Sequence, residues 1–238
     1  MLRFTIYFIF SLTLINVVLT ELYQCDQSAQ CGCSSESVAN ITARIVGGEI
    51  VQKRTWGWMV SLQKYNTHFC GASLISAEYA ITAAHCVSNS VYFPGSLSIL
   101  AGVNTLSQST STKAQRRKLI SIDVHPAYDK QDFFNDIAII RFAPLTTTSQ
   151  AEISFVCLPE SFRDPFSAGN DLVATGWGYT FQGSGFVSNA LRQVTLQAVA
   201  SSSSSCIAIG IQNPTIRLCA GLVQGGKGRN MMISLIIK

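Results

Sequence analysis

From Trp58 onward the chain is a succession of short apolar or alternating runs, at residues 59–62, 69–74, 98–101, 119–122 and 137–142, punctuated by Gly, Asn, Ser and Pro. None sustains the 3.6-residue period of an amphipathic helix, whereas alternation is what a half-buried strand requires. Strands at this spacing predict an antiparallel sheet closed into a barrel. After a linker at 146–150, a second set at 156–158, 172–175 and 191–198 predicts a second barrel. The serine run at 201–205 reads as a loop or helix cap, with a short helix starting at 206–209.

The amino-terminal end has a different pattern. Arg3 precedes an apolar run at 4–18, too short and wrongly flanked for a membrane span, and residues 1–20 read as a secretory signal peptide cleaved near Thr20. No second run of spanning length follows, so the expectation is an exported protein without a membrane anchor once the signal is removed.

Composition narrows the picture further. The chain has 238 residues, enough for one large core or two small ones, and 47% hydrophobic against 13% charged residues exclude a disordered class. The formal charge of +4 is modest. Its one basic concentration, Lys113 to Lys118, reads as a solvated loop and not as a nucleic-acid surface. Eight cysteines in an exported chain predict disulfides. A metal site at Cys31-Gly32-Cys33 is the competing reading, but no histidine cluster accompanies it, and no metal is expected. Asn40-Ile41-Thr42 is a glycosylation sequon, and the Arg44–Ile45 bond follows a polar, Ser-rich segment that a protease could reach.

The candidate chemistry centres on Ile81-Thr82-Ala83-Ala84-His85-Cys86, where one of three histidines ends an apolar run directly before a cysteine. Imidazole takes and returns a proton near neutral pH, and a disulfide at the next residue would fix its backbone. With Arg44-Ile45-Val46-Gly47-Gly48, Cys70-Gly71, Asp136-Ile137-Ala138-Ile139, Gly176-Trp177-Gly178 and Cys219-Ala220-Gly221, this stretch resembles the trypsin-like serine proteases of the chymotrypsin family. Six matches in order are specific.

The resemblance implies an all-β fold of two antiparallel six-stranded β-barrels, the second incomplete at its C-terminus. It also implies a signal peptide at 1–20, a propeptide at 21–44 and a protease domain at 45–238. Within that domain the first barrel is expected at about 45–145, the second at about 150–227, and an aberrant tail at 228–238. His85 would be the general base and Asp136 the carboxylate holding its imidazole. Cleavage at Arg44–Ile45 would free an Ile45 ammonium that folds inward onto a buried aspartate. The implied disulfides are Cys70 with Cys86, Cys206 with Cys219, and Cys157 with one of Cys25, Cys31 or Cys33. Cys33 or Cys31 is favoured, the other pairing locally with Cys25.

The likeness runs to about Lys227. The serine that the family sets in an Asp-Ser-Gly-Gly loop is not found among the 238 residues. Ser234 falls near the right spacing from Gly225-Gly226, but Met232 and Ile233 stand where glycine and aspartate belong and do not readily adopt glycine's conformations, so no role is expected of it. Gly228 occupies the position of a trypsin's specificity aspartate, which leaves specificity unassigned. Residues 230–238, rich in Met, Ile, Asn and Lys, read as translated intron or a misplaced exon boundary. The expectation is a serine endopeptidase truncated before its nucleophile, inactive as written and prone to unfold or aggregate. The alternative is a non-catalytic homologue that binds a partner protein. The implied partners are protein or peptide substrates, an activating protease and protease inhibitors, with no cofactor and no nucleic acid.

Overall fold

The structure, a computed structural model, describes residues 29–33, 48–51, 55–147, 152–159, 167–179, 185–200, 202–208 and 218–221. The signal segment, Cys25, Asn40, Arg44, Ile45 and the 228–238 tail lie outside the described residues.

Six strands close a barrel: β2 (Met59–Lys64), β3 (Thr67–Leu74), β4 (Tyr79–Thr82), β5 (Leu97–Ala101), β6 (Gln115–Val124) and β7 (Ala138–Phe142). Their order around the barrel is β2-β3-β4-β7-β6-β5, and β5 returns to β2. Every pairing is antiparallel. Closure leaves no unpaired edge, which is how a small all-β unit avoids edge-to-edge association. Inward positions carry Val60, Leu62, Leu74, Ile99, Ile140 and Phe142, all fully buried. The β2–β3 hairpin turns at Tyr65 and Asn66, both with φ above +50°, the left-handed pair that a two-residue turn of this twist demands.

The five runs expected in this half all become strands. β4 was not expected as a separate strand. The basic run at 113–118 is corrected: from Gln115 it belongs to β6 and is not a solvated loop. Long arginine stems can line a barrel wall while their heads find partners. Arg116 donates to Gln63 Oε1 inside the wall, Arg117 donates to Pro144 O at 3.1 Å, and Lys113 pairs with Glu152 at 2.6 Å.

The second half shows a four-stranded sheet among the described residues. β9 (Arg192–Ala198) pairs along its length with β8 (Asp171–Gly176) on one side. On its other side it pairs with β1 (Glu49–Ile50) at one end and β10 (Ala220–Gly221) at the other. Residues 49–50 were expected in the first barrel, but the chain contributes to the second sheet before it enters that barrel. The run at 156–158 is no strand. It is held instead by a Val156 N–H bond to Leu74 O at 2.9 Å and by the Cys31–Cys157 disulfide. The serine run does cap a helix: Ser203 Oγ accepts from Cys206 N at the start of Ser204–Ala208.

The two halves share one core. Trp177 and Leu191 from the second sheet and Val156 from the connection pack with the first-barrel residues. Segment 104–106 meets 189–191 edge to edge, with Leu191 N–H to Asn104 O at 2.6 Å and Leu106 N–H to Asn189 O at 2.8 Å. Gln193, buried, accepts from Trp56 Nε1 at 2.6 Å and donates to Glu49 at 2.7 Å.

Candidate active site

β4 and β7 run antiparallel with Thr82 opposite Ala138. His85 lies three residues beyond the end of β4 and Asp136 two residues before the start of β7, so strand register alone carries both to the same rim of the barrel. Thr82 Oγ1 donates to Gly71 O at 2.8 Å, pinning the end of β4 to β3. One helical turn follows, α1 (Ala84–Val87), whose buried Ala84 and Val87 anchor it and turn His85 outward. The Cys70–Cys86 disulfide ties that turn to β3. Chain connectivity, packing and a covalent bond thus fix the imidazole from three directions.

Asp136 receives two hydrogen bonds from one residue. His85 Nδ1 lies 2.7 Å from Oδ2, and the His85 backbone N–H donates to Oδ1 at 2.8 Å. With an ionised carboxylate, Nδ1 carries the proton and Nε2 presents its lone pair. The His85 side chain is 43% exposed and that of Asp136 21%, so the ring is open to solvent while the carboxylate sits behind it, and Nε2 lies 3.4 Å from Cys86 Sγ. The pair can hold an imidazole ready to accept a proton from a hydroxyl or a water.

The loop before Asp136 is bent by two left-handed residues, Phe133 and Asn135, each with φ of 53°. Such a conformation costs about 1–3 kcal/mol for residues other than glycine and persists only where the surroundings dictate it. Here Asn135 Nδ2 donates to Ala127 O at 2.8 Å, and Asp129 N–H donates to Phe134 O at 2.9 Å. The bend lays the Phe133 ring edge-on to the His85 ring, 5.8 Å between centroids, forming an apolar wall beside the imidazole. Tyr128 packs inward from the same loop. Its hydroxyl and that of Ser88, the residue closing α1, are buried without a hydrogen bond among the described residues. Burial, then the Asp136 charge, raises the Tyr128 pKa. The neighbouring Ser88 hydroxyl opposes that rise.

A second histidine, His68, lies near the start of β3. His68 Nδ1 is 2.8 Å from Ser61 Oγ, and Gln63 donates to the same oxygen at 3.1 Å. The Ser61 hydroxyl is left to donate to Nδ1. Burial lowers the His68 pKa to about 4, so the ring is neutral at neutral pH. It lies edge-on to Trp177, whose Nε1 donates to Asn104 O at 3.1 Å.

Among the sequence-derived candidates, the structure brings His85, Asp136, Cys70 and Cys86 together. It pairs Cys206 with Cys219, and it selects Cys31 as the partner of Cys157. Phe133, Tyr128, Ser88 and His68 were not singled out by sequence. Asn135, a residue tolerant of positive φ, was the one local signal of a bend beside Asp136.

Comparison with known proteins then settles the ancestry, since a family model described as Trypsin matches residues 45–231. The chain belongs to the trypsin family. It is 31% identical over 205 residues to mouse serine protease 56, covering 84% of this chain and 32% of that protein. It is 32% identical over 192 residues to mouse ovochymase-2, covering 79% and 31% respectively. The chain therefore spans about a third of the length of these curated relatives. Among solved structures it resembles human heparin binding protein at 25% identity and a TM-score of 0.64, covering 76% of this chain and 73% of that one. The two-barrel architecture of the trypsin family thus holds here, with the first barrel closed and part of the second described.

Proposed function

We propose that this chain is the protease module of a secreted trypsin-like serine endopeptidase made as a zymogen. The observation that carries the reading is the His85–Asp136 pair, bonded at 2.7 Å on an imidazole whose side chain is 43% exposed. In this role His85 removes a proton from a serine hydroxyl as it attacks the scissile carbonyl, then passes that proton to the leaving amine. Asp136 holds the tautomer and balances the imidazolium. Cleavage at Arg44–Ile45 by another protease activates the module, Asn40 carries a glycan, and the substrates are proteins or peptides.

The 238 residues contain no serine set in an Asp-Ser-Gly-Gly loop, and a nucleophile without preorganised oxyanion donors forfeits on the order of 3 kcal/mol per lost donor. In this reading the 238 residues by themselves are silent until such a loop stands opposite the pair. The same observation favours a second reading, a non-catalytic homologue that binds a partner protein.

A fluorophosphonate probe on Arg44-cleaved protein separates these readings. The 238-residue chain should remain unlabelled, while the product of a transcript that continues past Lys227 into the glycine-rich loop should label and lose labelling in His85→Ala. A continued transcript that carries the loop yet stays unlabelled sinks the peptidase reading. Labelling of the 238-residue chain that disappears in Ser234→Ala sinks the claim of silence.

A further inference from the structure

We propose that reduction of the Cys70–Cys86 disulfide turns this corner of the rim into a zinc site with His85 as its third ligand. Donor atoms of Cys70, His85 and Cys86 already lie within 4.8 Å of one another. His85 Nε2 stands 3.4 Å from Cys86 Sγ. A tetrahedral zinc with Zn–N of about 2.0 Å and Zn–S of about 2.3 Å sets nitrogen and sulfur roughly 3.5 Å apart, so one edge of the polyhedron exists before any metal arrives. The two sulfurs must open to about 3.8 Å. Breaking their bond permits this, with the Cα atoms 6.4 Å apart.

A second, independent observation is the partner behind the ring. Zinc-ligating histidines commonly donate their far N–H to a carboxylate, which fixes the tautomer and makes the ligating nitrogen more basic. Asp136 does this for His85 at 2.7 Å. The exposure of His85 leaves the fourth coordination position open to water. Two soft thiolates and an imidazole select zinc over magnesium or calcium, which take oxygen ligands.

The reductant is a dithiol or a phosphine. With a phosphine and one water, the phosphine becomes its oxide and the two sulfurs become thiols. Zinc then displaces one proton from each thiol as the two Zn–S bonds form. The metal occupies the nitrogen a general base needs, so in a peptidase that also carries the serine loop the reduced, zinc-loaded form is an off state, reversed by chelation and reoxidation. The site does not depend on the peptidase reading, because capture is measured at sulfur.

The test uses the full 238-residue chain, reduced anaerobically with a phosphine, freed of reagent and given zinc sulfate. Alkylation of each cysteine is followed by peptide mass spectrometry. Zinc should slow alkylation of Cys70 and Cys86 about tenfold or more, His85→Ala should remove most of that protection, and Asp136→Asn should raise the zinc concentration needed for it by about 10–100-fold. Equal protection in His85→Ala, protection confined to other cysteines, or loss of the far-ultraviolet circular dichroism of the fold on reduction would each overturn the proposal. In a variant with the other six cysteines changed to serine, cobalt should give a thiolate charge-transfer band that in His85→Ala needs about tenfold or more cobalt to appear. A band indifferent to His85 overturns it as well.

Discussion

The two sheets solve the same problem by different means. In the first barrel each strand has two neighbours and the interior is filled by side chains with no exposure, such as Leu62, Ile140 and Phe142. The described part of the second sheet has a small apolar cluster of its own, Leu172, Leu196 and Ala198. Its larger buried side chains, Trp177 and Leu191, pack into the core of the first barrel. The closed sheet is packed from within, while the described strands of the second sheet also rest, through Trp177 and Leu191 at their ends, on the first barrel's core. The candidate site follows that division: His85 and Asp136 both hang from the rim of the closed barrel.

The comparison breaks first on core truncation. Phe142→Ala should lower stability by about 3–5 kcal/mol, and Leu196→Ala by about 2 kcal/mol, because the smaller cluster collapses more easily around a missing side chain. Urea midpoints for the two variants check this, and an equal or larger loss at Leu196 would mean that the second sheet has a core of comparable weight. Next in size is the seam. Gln193→Ala removes the acceptor for Trp56 Nε1 and one donor to Glu49 and should cost about 1–3 kcal/mol. Its unfolding transitions, followed separately by fluorescence and circular dichroism, should begin to diverge.

Acid sharpens the same contrast from the barrel side. Folded His68 titrates at about 4 against an ordinary 6.5. Between those values the unfolded chain binds a proton that the folded chain refuses, so stability falls as pH drops from about 6.5 to about 4 and then levels off. The ring is partly exposed, so the loss should be about 1–2 kcal/mol, and a His68→Phe variant should lack it in thermal melts taken across that window. The smallest effect is expected at Tyr128→Phe. It removes a buried hydroxyl for which no hydrogen bond within 3.5 Å is found among the described residues and should shift stability by less than about 1 kcal/mol in either direction. A larger loss would show that the hydroxyl does bind something.

The first barrel was legible in sequence because its strands alternate over several residues and are separated by turn residues. Register, which puts His85 and Asp136 on one rim, was not legible; the ordered family motifs stood in for it. β4 escaped notice because Ala80-Ile81-Thr82 runs directly into the histidine turn. The basic run misled because charge suggests solvent, yet Arg116 bonds Gln63 within the wall. The 156–158 run misled in the opposite sense: three apolar residues look like a strand, but a disulfide and one backbone bond hold them in place. Phe133 and Tyr128 owe their places to a loop whose bend no short-range pattern encodes.

The pairing of Glu49–Ile50 with Arg192 and Gln193 has a consequence for how the chain is born. A ribosome delivering about 5–20 residues per second releases Phe142, and with it the material for the first barrel, before the partner of Glu49–Ile50 exists. The roughly 50 residues still to come take about 3–10 seconds at that pace. Throughout that wait the nascent chain trails a strand with nothing to pair with, and chaperones have those seconds in which to shield it.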